Sequence, residues 1–274
     1  MTDRPETQSH IQQVLQVKPR IDPEQEVEAR VAFLCRKMLE SGQHALVLGI
    51  SGGVDSTVGG RLAQLAVERA RDQGVNAYFY AMRLPYGTQH DEDDAQQALG
   101  FIKPDHVLTV DVKPASDALL DALEEGELTF EDANRRDFVL GNIKARQRMV
   151  AQYAAAGARG GLVVGTDQAA EALMGFFTKY GDGACDVAPL SGLTKSQVRE
   201  VGAALGAPAA LVEKQPTADL ETLKPQLADE VALGVTYVDI DAFLVGESVS
   251  DEAYNTIIKT YTRTEHKRQL PITP

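Results

Sequence analysis

The sequence has no tryptophan, only two cysteines, few aromatic residues (6%) and much less positive than negative charge. Each shortage closes off a class of protein. Cys35 and Cys185 stand far apart and match neither a zinc nor a redox spacing, which argues against a disulfide framework and for a reducing compartment. With 27 basic against 40 acidic residues the net charge is -13, the wrong sign for a protein that coats nucleic acid. No apolar run approaches the roughly 18 residues a membrane helix needs, and the first ten residues, MTDRPETQSH, contain no apolar signal segment. The expectation is a soluble, cytoplasmic protein with neither a membrane nor a nucleic-acid partner.

What is present is an ordinary globular composition, 43% hydrophobic and 24% charged over 274 residues, enough chain for a substantial core. Asp22-Pro23 followed by Gln25 reads as a helix start, with an N-cap, a proline at the first helical position and a capping-box partner. Val27, Val31, Leu34 and Met38 then mark one helix face, and Gly42 supplies a stop. Four short apolar stretches read as strands: ALVLGI from Ala45, NAYFYAM from Asn76, HVLTVDV from His106 and GLVVG from Gly161. Helical segments lie between them, including DEDDAQQALGFI and a long stretch around NIKARQRMVAQYAAAG. The alternation predicts an α/β fold, a doubly wound parallel sheet of about five strands flanked by helices, with helical additions at both ends. Such sheets bind ligands at the carboxyl ends of their strands, where the strand order reverses. The chain reads as one unit, 1–274, with a helical arm at about 1–42, an α/β core at about 43–207 and a lid and tail at about 208–274. The lid includes the irregular stretch EKQPTADLETLKPQLADE; long loops in compact domains are often functional or mobile.

The first strand leads into LVLGISGGVDSTVGG. Walker A is absent, and so is the dinucleotide fingerprint G-x-G-x-x-G at this turn. The turn carries S-G-G-x-D-S, Ser51 to Ser56. Adjacent glycines let backbone N–H groups face a bulky ligand, and a helix start favours an anion. Asp55, aimed at a polyphosphate, makes sense only with a cation between them. The plain structural alternative is a tight turn whose Asp or Ser caps a helix.

This loop resembles the pyrophosphate-binding loop of the ATP pyrophosphatases, which cut ATP into AMP and pyrophosphate. Four more stretches narrow the resemblance: GNIKARQRM from Gly141, VVGTDQAAEALMGFFTKYGDG from Val163, LSGLTKSQVRE from Leu190 and TEHKRQLP from Thr264. As an ordered set they are similar to the ammonia-dependent NAD synthetases across nearly the whole chain. The resemblance implies amidation of deamido-NAD by ammonia through an acyl-adenylate, with ATP as co-substrate, Mg²⁺ as cofactor and a homodimer as the assembly. It implies catalytic roles for Asp55 and Lys195, and Asp55 and Glu171 as Mg²⁺ ligands. The ATP contacts it implies are Gly49, Ile50, Ser51, Gly52, Gly53, Val54, Asp55, Ser56, Arg83, Gln89, Thr166, Lys195 and Thr217. Arg146, Lys179, Asp186, His266 and Lys267 are the implied contacts to deamido-NAD. Two departures stand out: Gln168 replaces a His common in GTDHAAE, and the chain ends at PITP where relatives continue into an acidic, aromatic tail. The competing readings are another amide-forming ATP pyrophosphatase of the GMP synthetase type and a non-catalytic adenine-nucleotide module. On the residues alone, Glu171 would be a solvated acid and EHKR a solvated charge run.

Overall fold

The structure, a computed structural model, describes residues 4–87, 92–214, 217–218, 223, 227–269 and 271. Helix α1 (Arg4–Val14) precedes α2 (Pro23–Glu40), whose start is the one the sequence signals. The Asp22 carboxylate accepts from the N–H groups of Glu24 and Gln25 at 3.1 and 3.2 Å, satisfying two of the donors a helix start leaves open. Strand β1 (Ala45–Gly49) leads into α3 (Val54–Asp72), then β2 (Tyr78–Arg83), α4 (Glu92–Ile102) and β3 (His106–Thr109). Two helices follow, α5 (Lys113–Glu125) and the 27-residue α6 (Ala133–Arg159), and then β4 (Gly161–Val163).

The four strands pair in parallel in the order β3-β2-β1-β4, so the order reverses beside β1. Alternate residues of β1 go to opposite faces. Leu46 and Leu48 join α2, α3, α4, Val198 and Val201 in one core, while Ala45 and Val47 join Tyr80, Met82, Val163 and Ala156 of α6 in another. Both faces are dry, which explains why these strands read as continuous apolar runs. Each fully buried leucine there contributes about 2 kcal/mol. Among the described residues the sheet has four strands, fewer than the expected five. Beyond β4 a single bridge forms among the described residues, Val164 with Val187, and Pro189 then supplies no N–H with which to extend a ladder.

The rest of the chain is mostly helical: α7 (Ala169–Met174), α8 (Lys195–Ala204) and α9 (Ala209–Val212), a short antiparallel pair β5 (Thr217–Ala218) and β6 (Leu227–Ala228), then α10 (Asp229–Leu233), α11 (Tyr237–Val245), α12 (Asp251–Arg263) and α13 (Glu265–Arg268). Helices α1, α7, α11 and α12 share a separate core around Ile11, Leu173, Ile240, Phe243 and Ile257. Gln8 and Gln12 of α1 donate to the carbonyls of Phe243 and Leu244, both at 2.8 Å, tying the first helix to one more than 230 residues away. No described helix is long and apolar enough to cross a membrane.

Candidate active site

The S-G-G-x-D-S turn lies at the carboxyl end of β1, beside the reversal of strand order. Gly49 ends the strand, its N–H held by Gln152 Oε1 at 2.8 Å, and Ile50 is buried with its N–H on the Met82 carbonyl at 2.8 Å. Gly52 has φ +89, and a Cβ there would sit 2.8 Å from the backbone nitrogen of Ala95, so only glycine fits between the loop and α4. Hydroxyls tie the loop to itself: Ser51 Oγ lies 3.1 Å from Ser56 Oγ and accepts from the Gly53 N–H at 3.2 Å. Val54 is buried in the core, so among the expected ATP contacts it has only its backbone to offer.

Three helix starts meet here, and they differ. At α7, the Gln168 side chain accepts from the N–H groups of Ala170 and Glu171 at 2.6 and 3.4 Å. At α8, Thr194 and Gln197 close a capping box. At α3, the capping position is Gly53, which has no side chain to offer. Helix α3 therefore begins with donors that no described side chain occupies, the condition an anion needs.

Lys195, the first residue of α8, reaches across to α3 and donates to Asp55 Oδ2. Their side chains are only 3% and 16% exposed. The other Asp55 oxygen is buried with no hydrogen-bond partner among the described residues. Burial works against the Lys195 charge, but Asp55 and Glu171 outweigh it and hold its pKa above the ordinary lysine value. Glu171 on α7 faces the same group; burial first, then the charge of Asp55, pushes its carboxyl well above the usual range. Asp167 is raised to about 8 by burial and by Asp182 and Asp55. The site thus holds more carboxyl groups than the single Lys195 charge can keep ionised, and Glu171 and Asp167 retain their protons to higher pH. Thr166 begins the same turn, its methyl facing Gly59 of α3.

Arg83, at the end of β2, donates to the Ile50 carbonyl behind the loop and pairs with Glu92 at 2.8 Å. Gln89 lies outside the described residues, and Thr217 lies in β5 with only its backbone described.

Of the expected dinucleotide contacts, Arg146, Lys179 and His266 are linked to one another. Arg146 is exposed on α6 and donates to the Lys179 carbonyl at 3.2 Å; Lys179 Nζ donates to the His266 carbonyl at 2.6 Å. Lys267 Nζ donates to the carbonyls of Gly175 and Phe177 at 2.8 and 2.7 Å, the open end of α7. Gly175 has φ +58, and a Cβ there would collide with Thr264. The tail EHKR is therefore a docked helical turn, and burial lowers the Lys267 pKa. Asp186 holds the Val163 N–H at 2.7 Å and faces the Tyr153 hydroxyl at 3.4 Å, tying it to the end of β4. Lys144 and Arg148 do not form a charged outer face with Arg146. Lys144 is buried with its ammonium 4.0 Å from the Tyr86 ring centre, and Arg148 donates to the Leu84 carbonyl at 3.0 Å.

The model of the NAD synthase family matches residues 26–271 of this chain. The chain belongs to the NAD synthase family. It is 66% identical over 267 residues to the NH(3)-dependent NAD(+) synthetase of Streptomyces coelicolor, covering 97% of both chains. It is 58% identical to the enzyme of the same description from Paraburkholderia phytofirmans, covering 97% of this chain and 93% of that one. Among solved structures it resembles NAD+ synthetase from Burkholderia pseudomallei with TM-score 0.86 and 54% identity, covering 99% of each chain. It also resembles NMN synthetase from Francisella tularensis, with TM-score 0.81 and 34% identity, covering 93% of this chain and 99% of that one.

Within this NAD synthase fold, sequence reasoning missed Asp167, Asp182, Asp229, Tyr237 and Asp241, all of which bear on the Lys195 environment. Asp167 and Asp182 lie inside the quoted GTDQAAE and YGDG stretches and could have been weighed as acids flanking Glu171. Nothing local marks the other three, which come from helices folded over the site.

Proposed function

We propose that the chain is a carbon–nitrogen ligase that amidates deamido-NAD with ammonia, consuming ATP and producing NAD, AMP and pyrophosphate. The observation that carries this is the Lys195–Asp55 ion pair, flanked by Glu171, at a helix start that no described side chain caps. A carboxylate is a poor electrophile, so it must first be activated. One nicotinate oxygen bonds to the α-phosphorus of ATP as the bond to pyrophosphate breaks. Ammonia then bonds to the acyl carbon, the bond to AMP breaks, and a proton is lost from nitrogen. Catalysis of this kind rests on positioning and charge stabilisation more than on a protein nucleophile. The loop from Gly49 to Ser56 holds the phosphates with N–H and hydroxyl donors, and Lys195 and Arg83 meet their charge; Gln89, Thr166 and Thr217 complete the ATP contacts. Arg146, Lys179, Asp186, His266 and Lys267 hold deamido-NAD.

The residues fit a divalent cation. Asp55 keeps one buried oxygen with no hydrogen-bond partner among the described residues, and Glu171 lies under the repulsion of Asp55. Among the described residues no three or more His, Cys, Asp or Glu side chains are arranged to enclose a metal. Asp55 and Glu171 would therefore hold Mg²⁺ in a shell completed by phosphate oxygens and water, its usual habit. Bound there, it offsets the charge of the polyphosphate. The working form is a cytoplasmic homodimer with the dinucleotide near the subunit interface, and sedimentation of the purified protein tests the dimer.

The test of the reaction is product identification by mass spectrometry, omitting ATP, deamido-NAD and ammonium in turn. NAD, AMP and pyrophosphate are expected only with all three present; ADP and phosphate, or ATP bound without turnover, contradict the reading. Glutamine in place of ammonium is expected to give no NAD, because burial raises the thiol pKa of both Cys35 and Cys185, the second to about 11, and keeps them as poorly nucleophilic thiols. Nicotinate mononucleotide belongs in the same assay, since the fold is shared with an NMN synthetase; its preference over deamido-NAD would reassign the acceptor.

A further inference from the structure

Lys195 opens α8, and the first turn of that helix is filled twice over. Thr194 Oγ1 accepts from the Gln197 N–H at 3.2 Å, and the Gln197 side chain accepts from the Thr194 N–H at 3.1 Å. The N–H groups of Lys195 and Ser196 remain, and both donate to one carboxylate, Asp241 on α11, at 3.1 and 2.7 Å. Asp241 is 8% exposed. It occupies the place an anionic ligand would take at an open helix start. The N-terminus of α8 therefore offers a nucleotide no free backbone donor, in contrast to α3; what it offers is the Lys195 ammonium alone.

The same helix touches the other end of the lysine. Tyr237, one turn before Asp241, places its ring centre 5.3 Å from Lys195 Nζ, and its hydroxyl donates to the buried Asp229 at 3.1 Å. A lysine side chain has four rotatable bonds, and its head is placed only if its backbone and its far end are both fixed. Here a single helix of the separate C-terminal core fixes both. That core also contains α7, which carries Glu171.

We infer that Asp241 is a positioning residue for the ATP half of the reaction, setting where the Lys195 backbone begins and so where its ammonium meets the polyphosphate. The inference rests on the proposed role of Lys195 toward ATP and adds the device that aims it. A carboxylate is needed because two N–H donors converge on it, one on each oxygen. An amide would leave one N–H facing an NH₂ group, and the start of α8 would shift. Misplacement by about 1 Å costs up to roughly a hundredfold in rate.

The test is steady-state kinetics on Asp241→Asn, alone and combined with Lys195→Met, alongside melting temperatures. The expected result is a fall of about tenfold to a hundredfold in kcat/KM for ATP, with KM for deamido-NAD within about twofold of the wild type. In the Lys195→Met background the same change should lower the residual single-turnover rate by less than about twofold, because residues acting through one another are not additive. A cap that merely holds the fold together would lower both backgrounds by one common factor, and that result overturns the inference. If Asp241→Asn does not fold, Asp241→Ser, which keeps a hydroxyl acceptor, carries the same test. Wild-type kcat/KM for ATP in either folded variant also overturns it. Failure of the wild type to release AMP and pyrophosphate would count against the proposed reaction instead, and is read first.

Discussion

Replacing Lys195 with methionine removes the ammonium that Asp55 and Glu171 face, while methionine fills most of the vacated volume. Both members of the Lys195–Asp55 pair are nearly enclosed, with side chains 3% and 16% exposed. Removing one partner of a buried pair costs about 3–5 kcal/mol, because the other charge stays buried and unpaired. That range applies here because both side chains are nearly enclosed, so water cannot replace the lost partner. At about 2 °C per kcal/mol for a chain of this size, the melting temperature should fall by about 6–10 °C. Asp55→Asn is not the mirror image. It keeps the shape, leaves Glu171 to face Lys195, and removes the charge that raises Glu171 and Asp167. Its cost should be about 1 kcal/mol or less, even though it abolishes most activity. Thermal unfolding of the wild type and both variants, in chelator and without ATP, measures the asymmetry. Adding Mg²⁺ should raise the melting temperature of Lys195→Met more than that of the wild type, because a cation at Asp55 and Glu171 replaces the lost charge. Equal losses in the two variants, or a larger loss in Asp55→Asn, would refute the reasoning.

Lys267→Ala should raise KM for deamido-NAD more than about tenfold, about 1.4 kcal/mol, with a smaller change for ATP. Because Lys267 also closes the carbonyls of Gly175 and Phe177, the melting temperature should drop as well; equal KM changes for both substrates would remove the tail from the dinucleotide site. The metal-free protein should lose stability as pH rises. Burial, Asp182 and Asp55 hold the Asp167 carboxyl at about 8, whereas in an unfolded chain it titrates near 3.9. Between those values the folded state holds a proton that the unfolded state has released, so the stabilisation is complete below about pH 4 and is lost as pH rises through about 8. Urea midpoints between about pH 6 and pH 9 should fall in the wild type and fall less steeply in Asp167→Asn, where Glu171 still contributes the same sign; a rising midpoint would contradict the assigned direction.

Much of this architecture is legible in short stretches of sequence because its causes are local. The Asp22-Pro23 start, the Gly42 stop, the buried β1 run and the S-G-G-x-D-S turn depend on residues within a few positions of one another. The missing fifth strand was not legible, since whether Val187 continues a ladder depends on Pro189 and on what packs beside β4. Which of the basic residues of α6 stay exposed is not legible either: Lys144 and Arg148 differ from Arg146 only because the loop after β2 folds against them. Asp241 and Tyr237 sit in VTYVDIDAF, a stretch with no functional signature of its own. Their importance comes from Lys195, more than 40 residues earlier, and only tertiary packing brings them to it.

The central claim is that the acceptor carboxylate attacks ATP before nitrogen arrives, and the fate of its oxygen tests this most directly. Deamido-NAD carrying ¹⁸O in both carboxylate oxygens is incubated with Mg-ATP, ammonium and the enzyme, and the products are separated and weighed by mass spectrometry. An acyl-adenylate predicts one labelled oxygen in the phosphate of AMP, one in the carboxamide of NAD, and none in pyrophosphate. Unlabelled AMP, or label appearing in inorganic phosphate, would contradict the account.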